Sequence, residues 1–144
     1  MLGATRRPQE YLFVVLLLFL VAGCTASEGI SAQIAHQFDS RDTVDLSTVG
    51  PDDWDRVCVL GPYSGNETAQ NVLGFDWDAE AKASIALNDG INVLVFTSGK
   101  SVVAYSEHPR NKGDFASVAS TCSSRQEAKL ARKPGSWALV WTRS

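Results

Sequence analysis

Asn92-Val93-Leu94-Val95-Phe96-Thr97 and Ser101-Val102-Val103-Ala104-Tyr105-Ser106-Glu107, separated by Ser98-Gly99-Lys100, form the stretch from which the fold is read. Two runs rich in β-branched and aromatic residues around a short glycine-containing turn predict an antiparallel hairpin. Towards the N-terminus, Trp54–Leu60 (WDRVCVL) becomes continuously apolar at Val57. Such a run suits a central strand covered on both faces, with Cys58 inside. Gly61-Pro62 breaks it. Earlier still, Val44 and Leu46 alternate with Asp45 and Ser47, so Thr43–Val49 reads as a half-buried strand ended by Gly50-Pro51-Asp52-Asp53.

Helical signals lie between and after these strands. Ser64-Gly65-Asn66-Glu67 fits a capping box, opening a helix that runs to Leu73 and stops at Gly74. Asp78 is placed to cap a second short helix, Ala79-Glu80-Ala81-Lys82. Ser84–Leu87, turning through Asn88-Asp89-Gly90, has a competing reading as a strand. Asp114 is expected to cap a helix on which Phe115, Val118, Ala119 and Cys122 share one face. Glu127–Arg132 and Ser136–Thr142 complete a hairpin over Lys133-Pro134-Gly135, with Trp137, Leu139 and Trp141 on one side. These elements predict an α+β fold: a single small domain with an antiparallel or mixed sheet of about five or six strands and two to four short helices on one side.

The N-terminus supplies an address. Arg6 and Arg7 precede an uninterrupted apolar and aromatic run from Tyr11 to Ala22, then Gly23 and Cys24. This is the layout of a secretory signal peptide, and the run is shorter than the roughly 17 to 25 apolar residues of a spanning helix. Leu20-Val21-Ala22-Gly23-Cys24 resembles the lipobox of bacterial lipoproteins. That resemblance implies cleavage before Cys24 and acylation of its thiol and new amine, and Thr25 after the cysteine leans towards the outer membrane, facing the periplasm. Two or more acyl chains anchor a protein stably where one does not. The expected organisation is residues 1–23 as signal peptide, 24–42 as a lipid-anchored tether and 43–144 as the globular domain. Within the tether, Ile30, Ile34 and Phe38 recur every four residues and define one face of a short helix able to dock on the domain. His36 there reads as solvated.

With Cys24 acylated, Cys58 and Cys122 remain as an even pair in an oxidising compartment and are expected to be bonded. Charge is unevenly divided. Residues 24–99 carry three Lys/Arg against twelve Asp/Glu, whereas residues 100–144 carry eight against three. Either the two halves neutralise each other within the fold, or a basic face turns towards an anionic partner. Nucleic acid does not suit this compartment or an acidic mature chain.

Two groups of residues are candidate sites. His108, Arg110 and Lys112 lie where a strand is expected to give way to a helix, a place able to hold a phosphate or carboxylate. The competing reading is a solvated turn in which Asp114 caps and Arg110 pairs with an acid. Trp54, Tyr63 and Trp77 are candidates for an aromatic groove for a sugar or peptide, or else are core. Asp76-Trp77-Asp78-Ala79-Glu80 lacks the glycine and terminal glutamate of a calcium loop. The sequence has no nucleophile elbow, no zinc-protease helix motif and no phosphate-cradling loop. No catalytic residue, metal ligand or cofactor is therefore assigned.

Trp54-Asp55-Arg56-Val57, Gly61-Pro62-Tyr63, Leu73-Gly74-Phe75-Asp76-Trp77 and Pro109–Phe115 resemble phrases of small bacterial envelope proteins. The resemblance spans residues 43 to 122 and implies a shared domain without implying a chemistry. The function expected from sequence is a membrane-anchored, non-enzymatic role in binding an envelope protein or an anionic glycan. An inhibitor of a wall hydrolase or protease, and an enzyme on envelope substrates using His108, are the alternatives.

Overall fold

Arg56–Leu60 (β2) is the strand around which the chain closes, because it is hydrogen-bonded on both sides. The computed structural model describes Gly3 and residues 26–142, so the expected signal peptide and the lipidation site at Cys24 lie outside the described residues. Among the described residues three helices, α1 (Ala26–Ser40), α2 (Asn66–Leu73) and α3 (Ala79–Lys82), accompany two antiparallel sheets. Thr43–Asp45 (β1), Lys129–Arg132 (β6) and Leu139–Trp141 (β7) form one, in the order β1-β6-β7. Ile91–Ser98 (β3), Ser101–Pro109 (β4) and Cys122–Ser124 (β5) join β2 in the other, in the order β4-β3-β2-β5. The α+β class is as the sequence implied, with seven strands divided between two sheets in place of one sheet of five or six.

Alternation along β2 and β3 separates two cores. Val57, Val59, Leu94 and Phe96 face α1 and the three-stranded sheet, joining Ile30, Ile34, Phe38, Leu130 and Leu139. Cys58, Leu60, Val93 and Val95 face the opposite way, joining Ala69, Leu73, Ala79 and Ile85 from the helical side. Apolar cover on both faces is why these strands have no alternating polar residues. Residues 26–40 form the helix expected within 24–42, docked on the domain and beginning earlier than its apolar period indicates. Its four-residue apolar period buries Ile30, Ile34 and Phe38.

The hairpin forms as read, with an irregularity between Phe96 and Thr97 that shifts the register by one residue. Cys58 and Cys122 are directly opposed on β2 and β5 and joined by a disulfide. Cys122 therefore stands on a strand, not on the expected helix. Residues 115–122 (FASVASTC) are rich in serine, threonine and valine, which favour other conformations. Only one 3-10 turn forms, Ala116–Val118, before Ser120 takes a positive φ of 60° and bonds the Val59 carbonyl.

Three local expectations change in detail. Thr43–Val49 is a strand only to Asp45, whose carboxylate accepts from the Ser47 amide and turns Leu46–Thr48 into a 3-10 helix. Ser84–Leu87 is not a strand: Ile85–Leu87 is a 3-10 helix with Ser84 at its start. At α2 the N-cap is Gly65, and the Ser64 hydroxyl donates to the Gly61 carbonyl. The reciprocal cap comes from elsewhere in sequence: Glu80 accepts from the Asn66 amide, and Asn66 Oδ1 accepts from the Glu80 amide, both at 3.0 Å. Gly74 stops α2 at φ 81° and Asp78 caps α3, as expected.

Candidate functional site

Strand β4 carries two polar environments, one at each end. At its C-terminal end His108 is fully buried, its side chain on the face covered by α1. Its Nε2 lies 3.0 Å from the Lys112 carbonyl, which can only accept, so Nε2 bears the proton. Nδ1 is then the acceptor for the Ser31 hydroxyl on α1, at 2.8 Å. The Phe115 ring stands edge-on to the imidazole at 5.6 Å. Burial disfavours the charged ring and pushes the His108 pKa down to about 4, against a smaller raising effect of the Lys112 carbonyl.

Beside it, Arg110 forms a bidentate pair with Asp114, Nε to Oδ1 at 3.0 Å and Nη2 to Oδ2 at 2.9 Å. Asp114 also accepts from the Ala116 amide and the Asn92 side chain. Burial alone would raise the Asp114 pKa. Its hydrogen bonds from Arg110, Ala116 and Asn92, with the Arg110 charge, outweigh burial and hold it below the usual carboxylate range. Lys112 reaches Asp39 of α1 at 3.3 Å. The candidate anion site is thus brought together, but every one of its three side chains is engaged internally, and the helix that would have supplied free amides is a single 3-10 turn. Its visible effect is to fasten α1 to the sheet.

The aromatic candidates are not brought together. Trp54 is 3% exposed in the core shared with α1, edge-on to Phe96 at 5.1 Å. Trp77 lies across the four-stranded sheet, against the other core. Tyr63 is 63% exposed. The expected groove of Trp54, Tyr63 and Trp77 does not form, because the connections that carry Trp54 and Trp77 pack them against cores on opposite faces of the four-stranded sheet.

A different groove exists, on the opposite side of β4 from α1. Its volume is about 600 Å³, and Phe75, Trp77 and Tyr105 line it along β4 residues Ser101–Tyr105. Trp77 and Tyr105 meet edge-on at 5.3 Å. Both rings are half-buried at the border of the helical-side core, so they are fixed by packing yet open on one side. Lys82 at the end of α3 and Lys100 in the hairpin turn also line it, with Asp76. Sequence reasoning found Trp77 but missed Tyr105, Lys82 and Lys100, whose approach depends on pairing across long loops. The hairpin's aromatic residue beside a basic turn was the available signal.

Ion pairs elsewhere explain the divided charge. Among the described residues Lys112 pairs with Asp39, Arg125 with Asp52 and Lys129 with Asp45, each joining the basic part of the chain to the acidic part. Neither Lys82 nor Lys100 has an acid partner among the described residues. No family model, curated protein or solved structure matches this chain, so its site is read from its own residues.

Proposed function

We propose that this chain is a lipid-anchored envelope protein, facing the periplasm, whose domain binds another envelope component through the groove beside β4. The observation that carries the binding reading is that groove: fixed aromatic rings, open to solvent on one side, flanked by cations without an acid partner among the described residues. Ring faces and unpaired charges of this kind favour recognition over chemistry. Anchoring rests on Leu20–Cys24. It is compatible with α1 starting at Ala26 and packing into the core, an arrangement that would hold the domain close to the lipid surface.

A catalytic role for His108 draws no support from its surroundings, since the ring is buried and hydrogen-bonded at both nitrogens. The inhibitor reading has one observation in its favour. Trp137 is 57% exposed in the link between β6 and β7, a place from which a ring can enter a cleft.

A photo-crosslinking side chain at Val102, in the groove, or at Trp137, in cells carrying Cys24 or Cys24→Ser, tests the proposal. The expected result is acylation of the Cys24 form and an adduct from position 102 that depends on it. Adducts from 137 alone would transfer the proposal to the inhibitor reading, and none from either position would refute it.

A further inference from the structure

We infer that the groove takes an extended acidic peptide segment of a partner protein, added to the sheet as a strand alongside β4. This rests on the binding reading above and names its occupant. Among the described residues β4 is the end strand of its sheet, so half of its backbone groups lack a neighbouring strand there. Which half follows from the register. Val59 bonds Thr121 and Ser120 through its amide and carbonyl, so Val59 faces β5 and Cys58 faces β3. Carried through Cys58↔Val95 and Leu94↔Ser106, the alternation turns Ser106 towards β3 and aims the amides and carbonyls of Tyr105 and Glu107 outward.

The outward row runs beside the groove. A strand laid along it would place alternate side chains against Val102, Tyr105 and Trp77, and the others towards solvent and the lysines. Lys82 and Lys100 set the sign of charge: two cations without an acid partner among the described residues, against Asp76, favour carboxylates in the incoming segment. A glycan would use the rings and the lysines but leave the strand edge unmatched. A second copy pairing edge to edge would bring Lys100 of each molecule to a shared surface with no acidic counterpart assured.

The test is binding of synthetic decapeptides to the purified soluble domain, residues 24–144 with Cys24→Ser, followed by tryptophan fluorescence and amide exchange. An alternating Val-Glu peptide is expected to bind and to protect the amides of Tyr105 and Glu107. An alternating Val-Lys peptide is expected not to bind. N-methylation of every second Val-Glu amide, which removes about two edge hydrogen bonds, should weaken binding about thirtyfold. Lys82→Glu/Lys100→Glu should weaken it about tenfold with the fold intact. Binding insensitive to N-methylation, equal binding of the Val-Lys peptide, preference for an acidic oligosaccharide, or self-association through β4 without peptide binding would each overturn the inference. If no peptide binds while position 102 still crosslinks in cells, the occupant is wrong and the binding role stands. If both fail, the role falls too.

Discussion

The two ends of β4 carry similar residue types and put them to opposite uses. At the C-terminal end, His108, Arg110 and Lys112 are consumed by Ser31, Asp114 and Asp39, making a joint between sheet and first helix. At the N-terminal end, Lys100 and Lys82 face an aromatic groove without an acid partner among the described residues. The stretch with the denser charge is the structural one. What separates a joint from a site is whether the polar groups are already satisfied, since a paired guanidinium has little left to offer a ligand.

The comparison can be strained first where both ends depend on the same sheet. Reducing the Cys58–Cys122 disulfide, or replacing both cysteines with alanine, opens a loop with a sequence separation of 64 and should cost about 4 kcal/mol in chemical denaturation. Joint and groove should be lost together. Truncating Ile34→Ala, fully buried in the core under α1, should cost about 3 kcal/mol while leaving the opposite-side groove in place in the molecules that remain folded.

The joint has a pH signature of its own. The folded-state pKa of His108, about 4, lies below the ordinary value of 6.5, so the unfolded chain takes up the proton first. Stability from this residue is complete above pH 6.5 and falls as pH drops towards 4, by up to about 3 kcal/mol across the 2.5-unit difference. Denaturation midpoints between pH 7 and 4 should show this loss, and His108→Phe should flatten it. Asp114 acts in a lower window, because its depressed pKa means its contribution is lost only as pH falls below the ordinary carboxylate range. Arg110→Met should cost about 1 kcal/mol through the loss of a partly exposed pair. Smallest of all, Lys82→Glu/Lys100→Glu should move stability by less than about 0.5 kcal/mol, both residues being exposed.

Local signals in the sequence were reliable where one segment sufficed to decide the outcome. Ile30, Ile34 and Phe38 define their buried face by spacing alone, and the hairpin by its β-branched runs. The cysteine pairing was legible from count and the expected compartment, but not the strand that carries Cys122, because Ser120's left-handed turn answers to Val59 rather than to its own neighbours. The α2 cap was misread for the same reason: Glu80, not Glu67, supplies the carboxylate. Trp54 and Trp77 look alike in sequence, and only the paths of the connections that carry them put them on opposite sides of the sheet. The groove was the least legible feature, since Trp77, Lys82, Lys100 and Tyr105 come from separate elements.

One titration bears most directly on the contrast between the two ends of the strand. Lys82→Glu/Lys100→Glu and the exposed-turn control Lys133→Glu are each titrated with the alternating Val-Glu decapeptide while the amides of Tyr105 and Glu107 are followed by exchange. Binding about tenfold weaker in the first protein, with amide protection shifted to correspondingly higher peptide concentration, and both unchanged in the control, is the predicted result. Equal binding by the two proteins, or protection that appears around His108 instead, would contradict it.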